Sequence, residues 1–234
     1  MTARRKLVGV LGGMGPDATV DFMAKVIAMT PAACDQDHVH MIVDHNPTVP
    51  NRQKAILNGG EDPAPAMVEM ATRLESAGAD FLVIPCNTAY VFADSIVAAV
   101  SIPLISIIDV TIDAIRKQAP DAARIGVLAT NGCLATGIYQ DALVRNGLQA
   151  LLPTDDELSR LMDLIFGIKG GDQGEGVAAA MGDLANGLVD RGAQAIVAGC
   201  TEIPLVLDDK MLSVPLISST DELARRTVEL VKES

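Results

Sequence analysis

Tryptophan is absent, and aromatic residues make up only 3% of the 234-residue chain. Aromatic cages and base-stacking platforms therefore have little material to be built from. The core must be assembled from Val, Ile, Leu, Ala and Met. Cations are also scarce. Eighteen Lys and Arg stand against 30 Asp and Glu, a formal net charge of −12. A surface of that sign excludes nonspecific binding of nucleic acid or anionic membrane. No apolar run is long enough to span a bilayer, and the most apolar stretch, residues 96–108, is broken by Pro103. The start of the chain imitates a secretory leader through Arg4, Arg5 and Lys6. Its apolar run meets Gly12-Gly13 after five residues, however, with no small-residue exit. A cytoplasmic location is expected. Cysteine is sparse as well: Cys34, Cys86, Cys133 and Cys200 include no C-x-x-C pair, so free thiols are expected.

What is present is the balance of a folded chain, with 49% hydrophobic and 21% charged residues and a mean hydropathy of +0.31. At about 150 residues per domain, the length allows one large domain or two small ones. Short Val- and Ile-rich runs alternate with stretches of helical spacing, as in β-α units around a parallel sheet. In the first half, strands are expected at 7–11, 39–43, 79–84 and 104–108, and helices at 17–29, 63–76 and 89–100.

The pattern then begins again. Val8-Gly-Val-Leu11 matches Ile125-Gly-Val-Leu128, and Ala18-Thr19 matches Ala135-Thr136, both at an offset of 117. Gly78-Ala-Asp-Phe-Leu-Val-Ile-Pro-Cys86 matches Gly192-Ala-Gln-Ala-Ile-Val-Ala-Gly-Cys200 at 114, and Ser101-Ile-Pro-Leu-Ile-Ser106 matches Ser213-Val-Pro-Leu-Ile-Ser218 at 112. Three blocks in one order indicate an internal duplication. The expected fold is α/β: two pseudo-symmetric lobes, each a mostly parallel sheet flanked by helices, with a boundary near the polar stretch 116–124. Ligands of open α/β sheets bind beyond the carboxyl ends of the strands, where Cys86 and Cys200 both stand, so the two could face one another across a cleft.

Each cysteine is followed by residues apt to cap a helix, Asn87-Thr88 and Thr201. A helix N-terminus beside each sulfur would lower its pKa from about 8.5. Two equivalent thiols approaching one ligand form an acid/base pair suited to inverting a tetrahedral carbon, one removing a proton from one face and the other delivering one to the opposite face. Either cysteine alone would be read as a small buried hydrophobe ending a strand. The matched positions favour function. Cys34, in a loop-like stretch, and Cys133, whose repeat partner is Pro16, have no such support.

Gly12-Gly-Met-Gly-Pro-Asp-Ala-Thr19, Pro85-Cys-Asn-Thr-Ala89 and Gly199-Cys-Thr-Glu-Ile-Pro204 resemble the signatures of the aspartate racemase branch of the aspartate/glutamate racemase superfamily, in the same order over essentially the whole chain. The resemblance implies a cofactor-independent isomerase that interconverts L- and D-aspartate, with glutamate as a further substrate, using Cys86 and Cys200 as the two bases. It implies no metal, a small dicarboxylic amino-acid substrate and a homodimer. It also has the last helix return to the first lobe, giving residues 1–114 with 211–234 as one lobe and 115–210 as the other. The substrate-binding residues it implies are Met14, Arg52, Asn87, Thr88, Thr130, Lys169, Thr201 and Glu202. Arg52 would hold a carboxylate with its planar fork, and Lys169 would add positive charge in the second lobe. Asn87, Thr88 and Thr201 would hold the α-carboxylate and stabilise the carbanion-like transition state. Tyr90 departs from the pattern by standing where the family commonly has histidine. The chain also lacks the acidic residue that usually precedes the first glycine loop in the glutamate branch.

Other readings stay open at this stage. Gly13-Met-Gly-Pro-Asp-Ala18 fits a dinucleotide-binding loop, which would make the chain an oxidoreductase, but Asp44 lies 31 residues on rather than about 20. His38, His40 and His45 could be imagined around a metal, without acidic or cysteine ligands at a recognised spacing. A two-lobed binding protein has no use for two thiols. A related cysteine-dependent isomerase acting on a small diacid would use the same residues.

Overall fold

The computed structural model describes residues 5–233; Arg4, part of the leader-like start, lies outside them. Tertiary contacts divide the chain into two units, one running to Ile107 and resuming at Thr220, the other comprising Ile108–Ser219.

The first unit is built on β1 (Val8–Gly12), whose five residues are all buried. A strand covered on both faces reads as a continuous apolar run rather than an alternation. Parallel strands flank it on both sides: β2 (Met41–His45), in register Val8 to Met41, and β3 (Phe81–Val83), in register Val8 to Phe81. Helix α1 (Pro16–Met29) opens with proline in its first turn, where no hydrogen bond is lost. Next come α2 (Arg52–Asn58), capped by the Asn51 side chain and closed by left-handed Gly59, and α3 (Ala64–Ser76). After β3 the chain forms a 3-10 segment, Asn87–Phe92, and a short α4 (Ala93–Val97). The helix expected over 89–100 is thus replaced by these two pieces.

Helix α5 (Ile107–Gln118) leads into the second unit. There follow β4 (Arg124–Leu128), α6 (Asn131–Ala135), α7 (Ile138–Arg145), β5 (Gln149–Leu151) and α8 (Asp155–Lys169), the last opened by a capping box between Thr154 and Glu157. Then come α9 (Glu175–Asp190), β6 (Ala195–Ala198), β7 (Leu216–Ser218) and α10 (Ser219–Lys232). The strand orders are β2-β1-β3 in one sheet and β5-β4-β6-β7 in the other, all parallel. The protein is therefore an α/β chain with two parallel sheets of one plan.

The repeat extends to individual contacts. A Cβ on Gly9 of β1 would lie 2.7 Å from Leu82, 3.0 Å from Ala79 and 3.2 Å from Leu74. A Cβ on Gly126 of β4 would lie 2.5 Å from Ile196, 3.2 Å from Ala193 and 3.2 Å from Leu188. Each of the second set lies 114 residues after its counterpart in the first. A helix packs directly on the central strand at the same place in both units, and only glycine leaves room.

The copies differ at one edge. The Leu82 and Ile196 N–H groups donate to equivalent partners, the Pro103 and Pro215 carbonyls, at 2.8 and 2.9 Å. In the second unit the ladder continues, with Val197 opposite Ile217 and Ala198 opposite Ser218. In the first it stops at a single bridge between Leu82 and Leu104, so the strand expected at 104–108 does not form. The Tyr90 hydroxyl intervenes, accepting from the Ile84 N–H at 3.3 Å and donating to the Ile105 carbonyl at 2.6 Å. Helix α5 then begins at Ile107, as α10 begins at Ser219 after β7. Because β7 pairs with β6, residues 216–218 belong with the second sheet, although the division expected from sequence grouped 211–234 with the first lobe.

Candidate active site

In the first unit, β1 delivers the chain to Gly13, whose positive φ of 88° and close approach to the Asn46 backbone leave no room for a side chain. The loop is held by Thr19, whose hydroxyl accepts from the Gly13 N–H at 2.8 Å and donates to the Gly15 carbonyl at 3.0 Å. Met14 is buried in this loop, 2% exposed. Arg52, the first residue of α2, closes over it. Its Nη2 donates to the Met14 carbonyl, and its Nη1 to the Val49 and Pro50 carbonyls, all at 3.2 Å. Its buried Nε has no acceptor, and among the described residues no carboxylate forms an ion pair with it. A guanidinium surrounded by neutral carbonyls is a place where a carboxylate would be bound favourably.

Cys86 follows β3. It is a free thiol, 7% exposed, and Asn87 and Thr88 beside it are equally buried. The 3-10 segment starts from Cys86 in extended conformation, with no side chain capping it, so the expected caps at Asn87 and Thr88 are not formed. Helix α2 lies against this segment, which brings the Arg52 helix and the cysteine loop into one neighbourhood of the unit.

In the second unit, Cys200 is also a free thiol beyond a central strand, 5% exposed. Gly199 precedes it because Tyr139 packs there: a Cβ would fall 2.8 Å from the ring. Thr201 and Glu202 are buried, and the short 3-10 turn that follows, Ile203–Leu205, starts from Glu202 without a side-chain cap. The cap expected at Thr201 is therefore absent. Cys200 Sγ donates to Glu202 Oε2 at 2.9 Å, while Glu202 Oε1 accepts from Lys169 Nζ at the end of α8. Thr130 caps α6, its hydroxyl accepting from the Cys133 N–H at 3.3 Å.

These neighbours reverse one expectation. The Cys200 thiol is pushed up well above its ordinary range, not down, chiefly by burial and then by the Glu202 carboxylate, with Lys169 opposing them. A three-residue 3-10 turn carries too little aligned dipole to offset the loss of water around the sulfur.

Sequence reasoning passed over Tyr139. The ring is fully buried behind Gly199, and its hydroxyl shares hydrogen bonds with Thr111 and Ser219. Burial holds the phenol well above its usual range. The glycine before the cysteine was the available signal.

The rival sites fare less well. Asp44, which a dinucleotide would need on its ribose, pairs instead with Arg73 at 2.8 Å. Among the described residues, His, Cys, Asp and Glu nowhere gather in threes as metal ligands, and no helix is long and apolar enough to cross a membrane.

The chain is 32% identical over 226 residues to the broad specificity amino-acid racemase RacX of Bacillus subtilis, covering 95% of this chain and 96% of that one. The solved Picrophilus torridus aspartate racemase superposes with a TM-score of 0.87 at 30% identity, covering 97% of this chain and 94% of that chain. Glutamate racemase isoform RacE1 of Bacillus anthracis, at 21% identity and a TM-score of 0.70, shares the fold over 97% of this chain and 82% of its own. The family profile described as Asp/Glu/hydantoin racemase matches residues 11–227. With that span, with close relatives over nearly its full length and with two matched α/β units, the chain belongs to the Asp/Glu/hydantoin racemase family of isomerases.

Proposed function

We propose that the protein interconverts L- and D-aspartate by two-base proton transfer between Cys86 and Cys200, without pyridoxal phosphate or metal. The observation that carries this reading is that each unit ends its equivalent strand in a buried free cysteine. One thiol group removes the α-proton, leaving a carbanion-like centre, and the other returns a proton to the opposite face. Hydrogen-bond donors held in place beforehand lower the barrier by meeting the charge as it develops. Asn87, Thr88 and Thr201 are assigned to the α-carboxylate, with Thr130 and Met14 shaping the space around it. Arg52 is assigned to a substrate carboxylate, in keeping with its unmatched Nε. Lys169 and Glu202 serve the second cysteine's side of the reaction.

The likeness to a broad specificity racemase at 32% identity favours a second reading, in which the same two cysteines act on a wider set of amino acids. One experiment separates the two. The purified, cofactor-free protein is incubated in D₂O with L-aspartate, with L-glutamate and with a panel of neutral and basic L-amino acids, following optical rotation and α-deuterium together. Loss of rotation with deuterium gained, fastest for aspartate, is the expected result. Comparable rates across the panel would establish the wider specificity. No exchange with any amino acid would overturn both readings.

A further inference from the structure

The duplication makes the two cysteines look interchangeable, and the residues two positions after them break that equivalence. Cys86-Asn87-Thr88 aligns with Cys200-Thr201-Glu202, so the position that holds a neutral hydroxyl in one copy holds a carboxylate in the other. Glu202 is 3% exposed, and both of its oxygens are engaged, one by the Cys200 thiol and one by Lys169. A carboxylate held between an ammonium group and a thiol, away from water, is fixed in orientation by its cation.

We propose that Glu202 is a positioning residue that holds Cys200 in its protonated form, ready to donate to the α-carbon, and that Lys169 fixes Glu202 for this task. This rests on the two-cysteine reading above and gives Glu202 a role other than substrate contact. In the first half-reaction the substrate Cα–H bond breaks toward Cys86 Sγ. The Cys200 Sγ–H bond then breaks as a new Cα–H bond forms on the opposite face. The negative charge moves from the Cys86 sulfur to the Cys200 sulfur, and no oxidant or cofactor is needed. The resting protein is therefore prepared for one enantiomer, the one deprotonated by Cys86. The thiolate left on Cys200 beside a carboxylate is a strong base for the reverse reaction. The charged or titratable groups around Cys200 are Glu202, Lys169 from the end of α8 and the Tyr139 phenol of α7, with Cys133 of α6 beyond that ring.

The test follows the ¹³Cβ resonances of the four cysteines in the full-length protein as pH is raised, in the native sequence, in Glu202→Gln and in Lys169→Met. In Glu202→Gln the Cys200 midpoint is expected to fall by about one unit or more, a tenfold rise in its acid dissociation constant. In Lys169→Met it is expected to rise, while the Cys86 midpoint stays put in both variants. A Cys200 midpoint unmoved by Glu202→Gln, or a Cys86 midpoint moving equally, overturns the proposal. Should Glu202→Gln fail to fold, Glu202→Asp, which keeps the charge but shortens its reach toward the sulfur, is expected to lower the Cys200 midpoint and leave that of Cys86 in place, and an unmoved Cys200 midpoint there overturns the proposal. The titration reads the thiol without any substrate. Shifted midpoints in a protein that exchanges no α-proton would therefore sink the racemase reading and leave the Glu202 contact standing.

Discussion

Cys86 and Cys200 end equivalent strands, but single residues around them set different chemistry. On the two-base reading, Cys200→Ala should abolish racemisation and leave at most α-proton exchange with one enantiomer, and Cys86→Ala should leave at most exchange with the other. Deuterium incorporation measured separately on L- and D-aspartate checks this; full racemisation by either variant would overturn the mechanism. Tyr90 calls for a different measurement. Its hydroxyl joins the Ile84 N–H to the Ile105 carbonyl at a buried position, so Tyr90→Phe leaves both groups unpaired. The expected loss is about 1–3 kcal/mol in urea unfolding. The family histidine's place is thus occupied by a side chain that ties two backbone segments together. The sequence made the departure at Tyr90 plain. It could not tell what the phenol bonds to, because Ile105 lies 15 residues further along and meets it only through the fold.

Among the elements, the strands and the long helices were legible because they bury whole faces. The all-apolar β1 and the helical spacing of α1 and α3 carry that signal in one short window. The segment after Cys86 was not, since its apolar spacing over 89–100 resembles a helix while Tyr90 draws it into a 3-10 turn. Glycines at helix-strand contacts offer a test of the shared plan. A methyl group on Gly9 or Gly126 must displace the end of Leu82 or Ile196 and press on a neighbouring Cβ. Gly9→Ala and Gly126→Ala should each cost about 1–3 kcal/mol, the range for overfilled cores, by lowering the urea midpoint at constant slope. An unchanged midpoint in both would mean that the helices are not seated on the central strands as described.

For the whole molecule, the buried thiol links folding to pH. Cys200 has a folded pKa above its unfolded value of about 8.5, so from there upward the unfolded chain releases a proton that the folded chain keeps. Its contribution is fully present below about pH 8.5 and is lost as pH rises toward the folded value, at no more than about 1.4 kcal/mol per pH unit. Tyr139 adds a second loss of the same sign, beginning above about pH 10. Urea unfolding at pH 7, 9 and 10 should therefore show falling stability, with a shallower fall between 7 and 9 in Cys200→Ser. Identical slopes in the two proteins would contradict the burial-raised thiol.

The sequence by itself determined the α/β class, the duplication, the absence of a bilayer-spanning run and the two cysteines at strand ends. Each of these is written in neighbouring residues or in blocks repeated in one order at closely similar offsets. Tertiary structure alone decided which groups surround those cysteines. The Lys169 ammonium reaches Glu202 across 33 residues, and Tyr139 packs behind Gly199. Water excluded from Cys200 outweighs the short turn that was expected to stabilise a thiolate. A pKa depends on distance and burial, and both are set by packing between segments far apart in the chain.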